Sequence, residues 1–259
     1  MRWCRFNYKD KPHYGIIEGD RIIPVWGDPF GEYAKVNNSV PLEGTQLLAP
    51  MIPPTFYATG RNYEAHLKDR VERNNASTPQ TAWASYRASN ALIGHGETVI
   101  IPADAPDDVE YEGELVAVIG KMSRNLTKEN ALDSVFGYTI GNDITGMTWA
   151  KNDPRPWRSK SCDTWKPMGP WIETDLDVDK AVCTVKYNDE VMVEFNVTQW
   201  RHSVADVLVA LSKYITLHPG DIVWMGAEGV SPYMKHGDEV EISITGIGTL
   251  RNKVIREGM

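Results

Sequence analysis

The sequence predicts an α+β protein dominated by β-structure, with a small β-rich domain ahead of a larger one. Segments rich in β-branched residues, with frequent alternation of apolar and polar positions, recur along the 259 residues. They do not alternate regularly with helical patterns, which disfavours a parallel α/β fold. A loop rich in Gly, Pro and Asn ends near Pro50, and the Pro53-Pro54 pair that follows is a domain boundary by this pattern. We therefore predict one domain at residues 1–52 and a second at 53–259.

Turn residues divide the chain into short predicted strands. In the N-terminal part, the Gly19-Asp20 pair separates strands at residues 14–18 and 21–25. The Asn188-Asp189 pair predicts a hairpin turn in the larger part. The strands predicted there lie at residues 97–101, 111–119, 181–187, 191–195 and 240–244.

Helical patterns are scarcer in this sequence than strand patterns. One helix is predicted from residue 63 to about residue 72, with Asn62 as its N-cap, and another at residues 128–135. The best pattern covers residues 203–216, which carry apolar residues on one side and end before His218-Pro219-Gly220.

Composition and charge exclude several classes of function. The formal net charge of −8 disfavours a nucleic-acid partner and an anionic membrane surface. The longest apolar runs are too short to span a bilayer, and the first residues carry no apolar run typical of a signal peptide. The three cysteines have no zinc or disulfide spacing, so we expect reduced thiols. A cytoplasmic protein without nucleic-acid or membrane partners is the expectation.

Carboxylates beside an apolar strand are the most informative feature. Glu112 and Glu114 are two residues apart in segment 109–119, so on a strand they share one face. Because like charges beside an apolar stretch repel, they need a basic partner or a cation. Asp143 ends another probable strand and would add a third carboxylate. Oxygen ligands favour Mg²⁺, Mn²⁺ or Ca²⁺ over zinc, although ordinary edge charges are the alternative interpretation.

Short motifs also occur in a characteristic order along nearly the whole chain. They read ATGRNYEAH at residues 58–66, YEGEL at 111–115, GYT and ND within 137–143, KSCDT at 160–164, PMGP at 167–170, GD at 220–221 and 237–238, and GIG at 246–248. Through this order the chain resembles the fumarylacetoacetate hydrolase (FAH) family. Residues 1–50 resemble the small N-terminal unit of one branch. The resemblance implies an FAH-type mixed β-roll and β-sandwich with a small N-terminal β-domain, assembled as a homodimer.

The resemblance further implies a divalent metal site. Glu112, Glu114 and Asp143 match the metal ligands of the family, with Mg²⁺ expected and Mn²⁺ or Ca²⁺ as alternatives. His66 matches the general base, and Lys160 matches a cation that stabilises an oxyanion. Family members hydrolyse, decarboxylate or tautomerise acylpyruvates and related acids, so a small oxo-acid is the expected partner. Such an acid could chelate the ion, which would stabilise an enolate.

Four further residues complete the predicted site. Asp69 lies three residues after His66, so on a helix it shares a face with the imidazole and could orient it. Many family members carry Glu there, and Glu228 is a second candidate acid. Arg87 falls where the family often has Lys and is a candidate partner for a substrate carboxylate. Arg61, in the first motif, is also predicted to bind substrate.

The sequence departs from the family at oxyanion positions. Hydrolases of the family commonly carry Arg, Asp and Gln where this chain has Met147, Thr148 and Ala150. One such donor typically contributes about 2.7–4 kcal/mol, so its loss weakens the case for hydrolysis. We rank C–C bond hydrolysis of an acylpyruvate or related β-diketo acid first, in the catabolism of an aromatic or similar compound. Decarboxylation or keto–enol isomerisation of an oxo-acid follows, and a catalytically silent metal-binding or ligand-binding relative is the remaining alternative.

Overall fold

A computed structural model of the chain describes residues 1–74, 78–229 and 231–259. The strands in these residues are β1 (Arg2–Tyr8), β2 (Lys11–Glu18), β3 (Arg21–Gly27), β4 (Tyr33–Lys35), β5 (Val40–Pro41), β6 (Leu47–Leu48), β7 (Phe56–Ala58), β8 (Ser85–Tyr86), β9 (Leu92–Ile93), β10 (Val99–Ile101), β11 (Val109–Glu110), β12 (Gly113–Ile119), β13 (Val135–Asn142), β14 (Thr145–Gly146), β15 (Lys166–Glu173), β16 (Val182–Tyr187), β17 (Glu190–Asn196), β18 (Ile222–Trp224), β19 (Glu239–Ile244) and β20 (Gly248–Arg256). The α-helices are α1 (Glu64–Asn74), α2 (Met147–Asn152), α3 (Arg158–Ser161) and α4 (Val204–Ser212). The predicted β-dominated fold class is confirmed.

Two sheets carry most of these strands. The larger follows the order β4-β3-β2-β1-β15-β13-β12-β18-β7-β8, with β5, β6 and β9 attached beside it. The second follows the order β10-β20-β19-β16-β17, and β11 pairs with β14. Most neighbours are antiparallel, but β7 pairs parallel with β18, β9 with β15 and β10 with β20. This mixed, curled arrangement brings segments that are distant in sequence to one end of β12.

The strand β12 lies inside the large sheet and is buried on both faces. Leu115 and Ala117 face a core that includes residues of the second sheet, such as Val185. Val116 and Val118 belong to a core shared with the N-terminal strands. Full burial of a Val or Leu side chain contributes about 1.5–3 kcal/mol, so this continuous apolar run anchors the fold.

The N-terminal strands extend the large sheet. β1 pairs antiparallel with β15, with Arg2 opposite Glu173, and the Met1 ammonium donates a 2.8 Å hydrogen bond to Glu173. A small separate core lies under these strands, formed by Cys4, Phe6, Ile17, Ile22 and Leu47. The division at residues 52 and 53 stays a prediction, since the strands before it and after it share one sheet.

Every predicted strand overlaps an observed one, and the hairpin turn at Asn188-Asp189 joins β16 to β17. Both turn residues have positive φ, 50° and 67°, as a tight two-residue hairpin requires. The predicted helix at residues 128–135 is wrong. Only a 3₁₀ turn forms at Ala131–Ser134, and β13 begins at Val135. The β-branched and aromatic residues that follow favour the strand.

The other two predicted helices form. α1 begins at Glu64, but Asn62 does not cap it, because its side chain bonds His202 N and Met225 O instead. α4 is shorter than predicted and is capped by Ser203. No helix of the described chain is long and apolar enough to cross a membrane.

Candidate active site

Three carboxylates converge where β12 and β13 pair. Glu112 directly precedes β12, Glu114 is its second residue, and Asp143 directly follows β13. The two strands run antiparallel with Gly113 opposite Asn142, so the start of one lies beside the end of the other. One oxygen of each carboxylate lies within 4.8 Å of the others. We call these three residues the carboxylate cluster.

Two glycines shape the cluster. Gly226 N donates a 2.7 Å hydrogen bond to Glu114 Oε2, and its φ of +83° is a conformation that favours glycine. Gly113 lies between the two glutamates, and a Cβ there would meet Val185 Cγ2 at 2.7 Å. Glycine at position 113 therefore lets the second sheet approach the strand that carries the cluster.

Burial and neighbouring charges shift the pKa values of the cluster in different directions. Glu114 and Asp143 are each 1% exposed. Burial, reinforced by the neighbouring carboxylates, raises the pKa of Glu114 well above its usual range. Burial acts on Asp143 in the same sense, but nearby cations, Arg87 foremost, outweigh it and hold the pKa of Asp143 well below its usual range. The site therefore does not hold three ionised carboxylates stably without further positive charge.

Cationic side chains contact the cluster from several sides. Lys160 Nζ lies between two of its members, 2.8 Å from Glu112 Oε2 and 2.7 Å from Asp143 Oδ2. Arg87 Nη2 donates a 3.0 Å hydrogen bond to Asp143 Oδ2. Lys166 Nζ lies 2.8 Å from Asp143 Oδ1. Asp143 is thus paired with three cations at once.

The cluster fits a hard divalent cation. Its three side chains offer only oxygen, which Mg²⁺ and Mn²⁺ prefer. The raised pKa of Glu114 indicates that the cluster lacks positive charge near that residue. An ion held by all three oxygens would displace Lys160 Nζ from its place between Glu112 and Asp143. The residues present therefore fit the ion that the family resemblance implies.

His66 lies on α1 at the edge of the cluster. Its Nδ1 lies 2.9 Å from Gly229 O, and its Nε2 accepts a 3.2 Å hydrogen bond from Arg70 Nε. Since a carbonyl oxygen only accepts, Nδ1 carries the proton and the imidazole is neutral. Nε2 also lies 3.4 Å from Glu112 Oε1. A proton taken up at Nε2 would have to displace Arg70 Nε and would then face Glu112.

Two predicted acids stand apart from the cluster. Asp69 is half-buried on α1, whereas the hydrogen bonds of the His66 ring go to Gly229 and Arg70. Gly229 and Arg70 therefore orient the imidazole of His66, which is the role that we predicted for Asp69. Glu228 Oε1 accepts a 3.0 Å hydrogen bond from Gly229 N and lines a small cavity next to His66.

A pocket of about 440 Å³ opens beside the carboxylate cluster and Lys160. Apolar side chains form much of its remaining surface, and we call them the apolar wall: Trp83, Met147, Ala150 and Pro156. The departures noted in the sequence at positions 147 and 150 therefore face this space. Thr148 does not line it and instead donates a 2.8 Å hydrogen bond to Asp108.

The two predicted substrate arginines are placed differently. Arg61 lines the pocket with its guanidinium stacked on Trp83 at 5.4 Å, and burial lowers its pKa. Arg87 is 5% exposed and bonds Asp143 and, at 2.7 Å, Ser85 Oγ. Arg87 is therefore committed to the cluster, and Arg61 lies on the pocket surface beside Trp83.

Sequence reasoning missed Arg70 and Lys166. Arg70 bonds Glu110 at 2.6 Å and Glu112 at 2.9 Å, as well as His66. Its spacing of four residues from His66 on a helix was the available signal. Lys166 is fully buried in β15, and burial lowers its pKa to about 8. A lysine between Trp165 and Pro167, next to a run of apolar residues, was the signal for it.

Comparison with known proteins agrees with this geometry. A family model described as fumarylacetoacetate (FAA) hydrolase C-terminal matches residues 55–255. The chain belongs to the fumarylacetoacetate hydrolase family. A second model, Rv2993c-like N-terminal, matches residues 1–50. Protein Rv2993c of Mycobacterium tuberculosis is 35% identical over 270 residues, which cover 100% of this chain and 99% of that protein.

Solved structures of FAH-fold proteins include both isomerases and hydrolases. The chain superposes on 5-carboxymethyl-2-hydroxymuconate delta-isomerase from Mycobacterium smegmatis with a TM-score of 0.90 and 32% identity, covering 99% of this chain and 100% of that one. Maleylpyruvate hydrolase from Sphingobium sp. SYK-6 gives a TM-score of 0.80 and 26% identity, with coverage of 99% and 100%. The latter protein has also been solved with manganese(II) and pyruvate.

Proposed function

We propose that the protein is a metal-dependent isomerase that interconverts the enol and keto forms of an unsaturated oxo-dicarboxylic acid. The observation that carries this proposal is the contrast within the pocket. The carboxylate cluster and Lys160 provide what an enolate needs, whereas Met147 and Ala150 supply no hydrogen-bond donor. An isomerisation proceeds without a tetrahedral intermediate, so it does not need the missing oxyanion donors.

The residues of the cluster have distinct parts in this reaction. When bound, a divalent ion would supply Lewis acidity to the oxo group of the substrate. Lys160, moved into the pocket from its place between Glu112 and Asp143, would provide a positive charge beside the developing enolate oxygen. His66 is the neutral base near the cluster, with Glu112 Oε1 3.4 Å away to stabilise the imidazolium that proton uptake forms.

Hydrolysis of a C–C bond is the second candidate. The likeness to maleylpyruvate hydrolase favours it, and so does His66, the base that the family resemblance assigns. Against it, the apolar wall offers an attacking water little support. A catalytically silent binding protein is the third candidate. A homodimer without nucleic-acid or membrane partners stays a prediction.

Nuclear magnetic resonance in D₂O separates the candidates. The protein is incubated with Mg²⁺ or Mn²⁺ and 2-hydroxyhepta-2,4-diene-1,7-dioate, the dicarboxylate in the name of an isomerase from Mycobacterium marinum that is 31% identical to this chain. We expect loss of the conjugated enol and incorporation of deuterium at carbon, with the carbon skeleton intact. Cleavage of acylpyruvates into two acids at a higher rate would instead establish hydrolysis.

Variants show whether the carboxylate cluster is responsible. Glu114→Ala removes one expected ligand and should abolish both metal binding, measured by calorimetry, and turnover. Lys180→Met is the matched control, because Lys180 is 84% exposed and pairs with Asp177 on the surface. Metal and substrate binding without deuterium exchange would support the silent protein. Turnover that survives Glu114→Ala would contradict the proposed site.

A further inference from the structure

Around the carboxylate cluster, the formal charges of the acidic and basic side chains balance when every carboxylate is ionised. The acidic side chains that contact one another or share cationic partners there are Glu110, Glu112, Glu114 and Asp143. The basic side chains paired with them are Arg70, Arg87, Lys160 and Lys166. Their formal charges sum to zero. A divalent ion alone would therefore leave two uncompensated positive charges in a buried place, which is costly.

Lys166 is fixed in this arrangement. Its side chain is fully buried, and its Nζ donates 2.8 Å hydrogen bonds to Ile144 O and Trp165 O. The third contact of Nζ is Asp143 Oδ1, at 2.8 Å. An ammonium has three donors, so all of them are engaged. Lys166 Nζ is therefore held beside Asp143 by two backbone carbonyls that take no part in binding an ion.

Lys160 differs from Lys166 in its freedom to move. Its side chain is 17% exposed and lines the open pocket, and among the described residues its Nζ pairs with Glu112 Oε2 and Asp143 Oδ2. Lys160 can swing into the pocket when an ion takes its place. Lys166 does not line the pocket, so the repulsion between its ammonium and the ion remains.

We propose that Lys166 makes divalent metal binding at the carboxylate cluster depend on a second anion, so that the ion and a dianionic oxo-acid bind as a coupled pair. This inference rests on the proposed function and refines its substrate class. Two negative charges from the ligand restore neutrality around the bound ion. A monoanion of the same shape compensates only one of the two positive charges, so the dianion is the favoured partner.

Calorimetric titration with Mn²⁺ tests this coupling in the wild type and in Lys166→Met. Methionine keeps most of the length of the unbranched side chain and removes the ammonium group with its charge. We expect the variant to bind Mn²⁺ alone at least about tenfold more tightly than the wild type, because a repelling unit charge a few ångströms away is gone. Damage to the fold would weaken binding, so tighter binding is diagnostic. Lys180→Met, which removes an exposed lysine, should leave the affinity unchanged.

Oxalate and oxamate test the coupling in the wild type alone, should Lys166→Met fail to fold. Both chelate through two oxygens, but oxalate is a dianion and oxamate a monoanion. After correction for each ligand's own affinity for Mn²⁺ in solution, oxalate should tighten Mn²⁺ binding at least about tenfold more than oxamate. In Lys166→Met this preference should shrink.

The outcomes separate this inference from the proposed function. Tight Mn²⁺ binding that neither oxalate nor Lys166→Met changes would overturn the coupling and leave the metal site intact. Equal enhancement by oxalate and oxamate would overturn it as well. No Mn²⁺ binding under any condition, with either anion present, would instead remove the metal site and the proposed function with it.

Discussion

The carboxylate cluster and the apolar wall border the same pocket, but they are built differently. The cluster sits at the paired ends of two central strands, is buried, and is tied to cations on several sides. The wall comes from Trp83 and Pro156, which lie between regular elements, and from the short helix α2. Sheet residues thus fix the reacting end, and less regular segments shape the space for the rest of the ligand. The cluster should determine the type of chemistry, and the wall should determine the substrate.

Lys160→Met should show the largest effect on the cluster side of this comparison. Lys160 is the mobile cation beside the reacting oxygen, and removing one such group typically lowers kcat about 10²–10³-fold. Mn²⁺ binding should persist, since the ion loses a competitor for Glu112 and Asp143. Steady-state kinetics at saturating metal and calorimetry measure the two effects. An unchanged kcat would mean that Lys160 serves only to neutralise the metal-free site.

Arg61→Gly should act on substrate binding and leave the chemistry nearly unchanged. Arg61 has a φ of +54°, which glycine adopts easily, so the change removes the guanidinium without straining the backbone. A charge-assisted hydrogen bond is worth about 1.5–3 kcal/mol, so KM for a dicarboxylate should rise roughly 10- to 100-fold. A monocarboxylate analogue is the control, and its KM should hardly move. If both KM values rise equally, Arg61 supports the wall through Trp83 rather than binding a carboxylate.

The difference between the carboxylate cluster and the apolar wall also explains which site residues could be predicted from the sequence. Glu112, Glu114 and Asp143 could be found because strand periodicity and strand ends place them in a regular way. Arg70 and Lys166 contact the cluster from α1 and β15, and such pairing depends on how distant elements pack. The roles of Met147 and Ala150 followed from the family motif, but only the structure shows that they face the pocket. The helix predicted at residues 128–135 is cut short to a 3₁₀ turn at Ala131–Ser134, because β13 begins at Val135 and pairs there with β12.

The pH dependence of stability should give the smallest effect, and it belongs to the cluster alone. Because burial raises the pKa of Glu114 above its unfolded value, its contribution to stability is present at low pH and is lost as pH rises through the folded pKa. Each pH unit in that window costs at most about 1.4 kcal/mol. In metal-free protein, the melting temperature of Glu114→Gln relative to the wild type should therefore rise as pH increases from the ordinary Glu pKa, about 4.3, up to the folded pKa of Glu114.

Other groups that titrate in this range are present in both proteins, so the difference isolates Glu114. Saturating Mn²⁺ should reverse the trend by stabilising the wild type and not the variant, since a ligand that binds only the folded state adds stability. Ala150→Gln, on the apolar wall, should follow the wild-type profile at every pH. A melting-temperature difference between Glu114→Gln and the wild type that stays flat with pH would show that the metal-free cluster holds Glu114 ionised, and that its cations already compensate all three carboxylates.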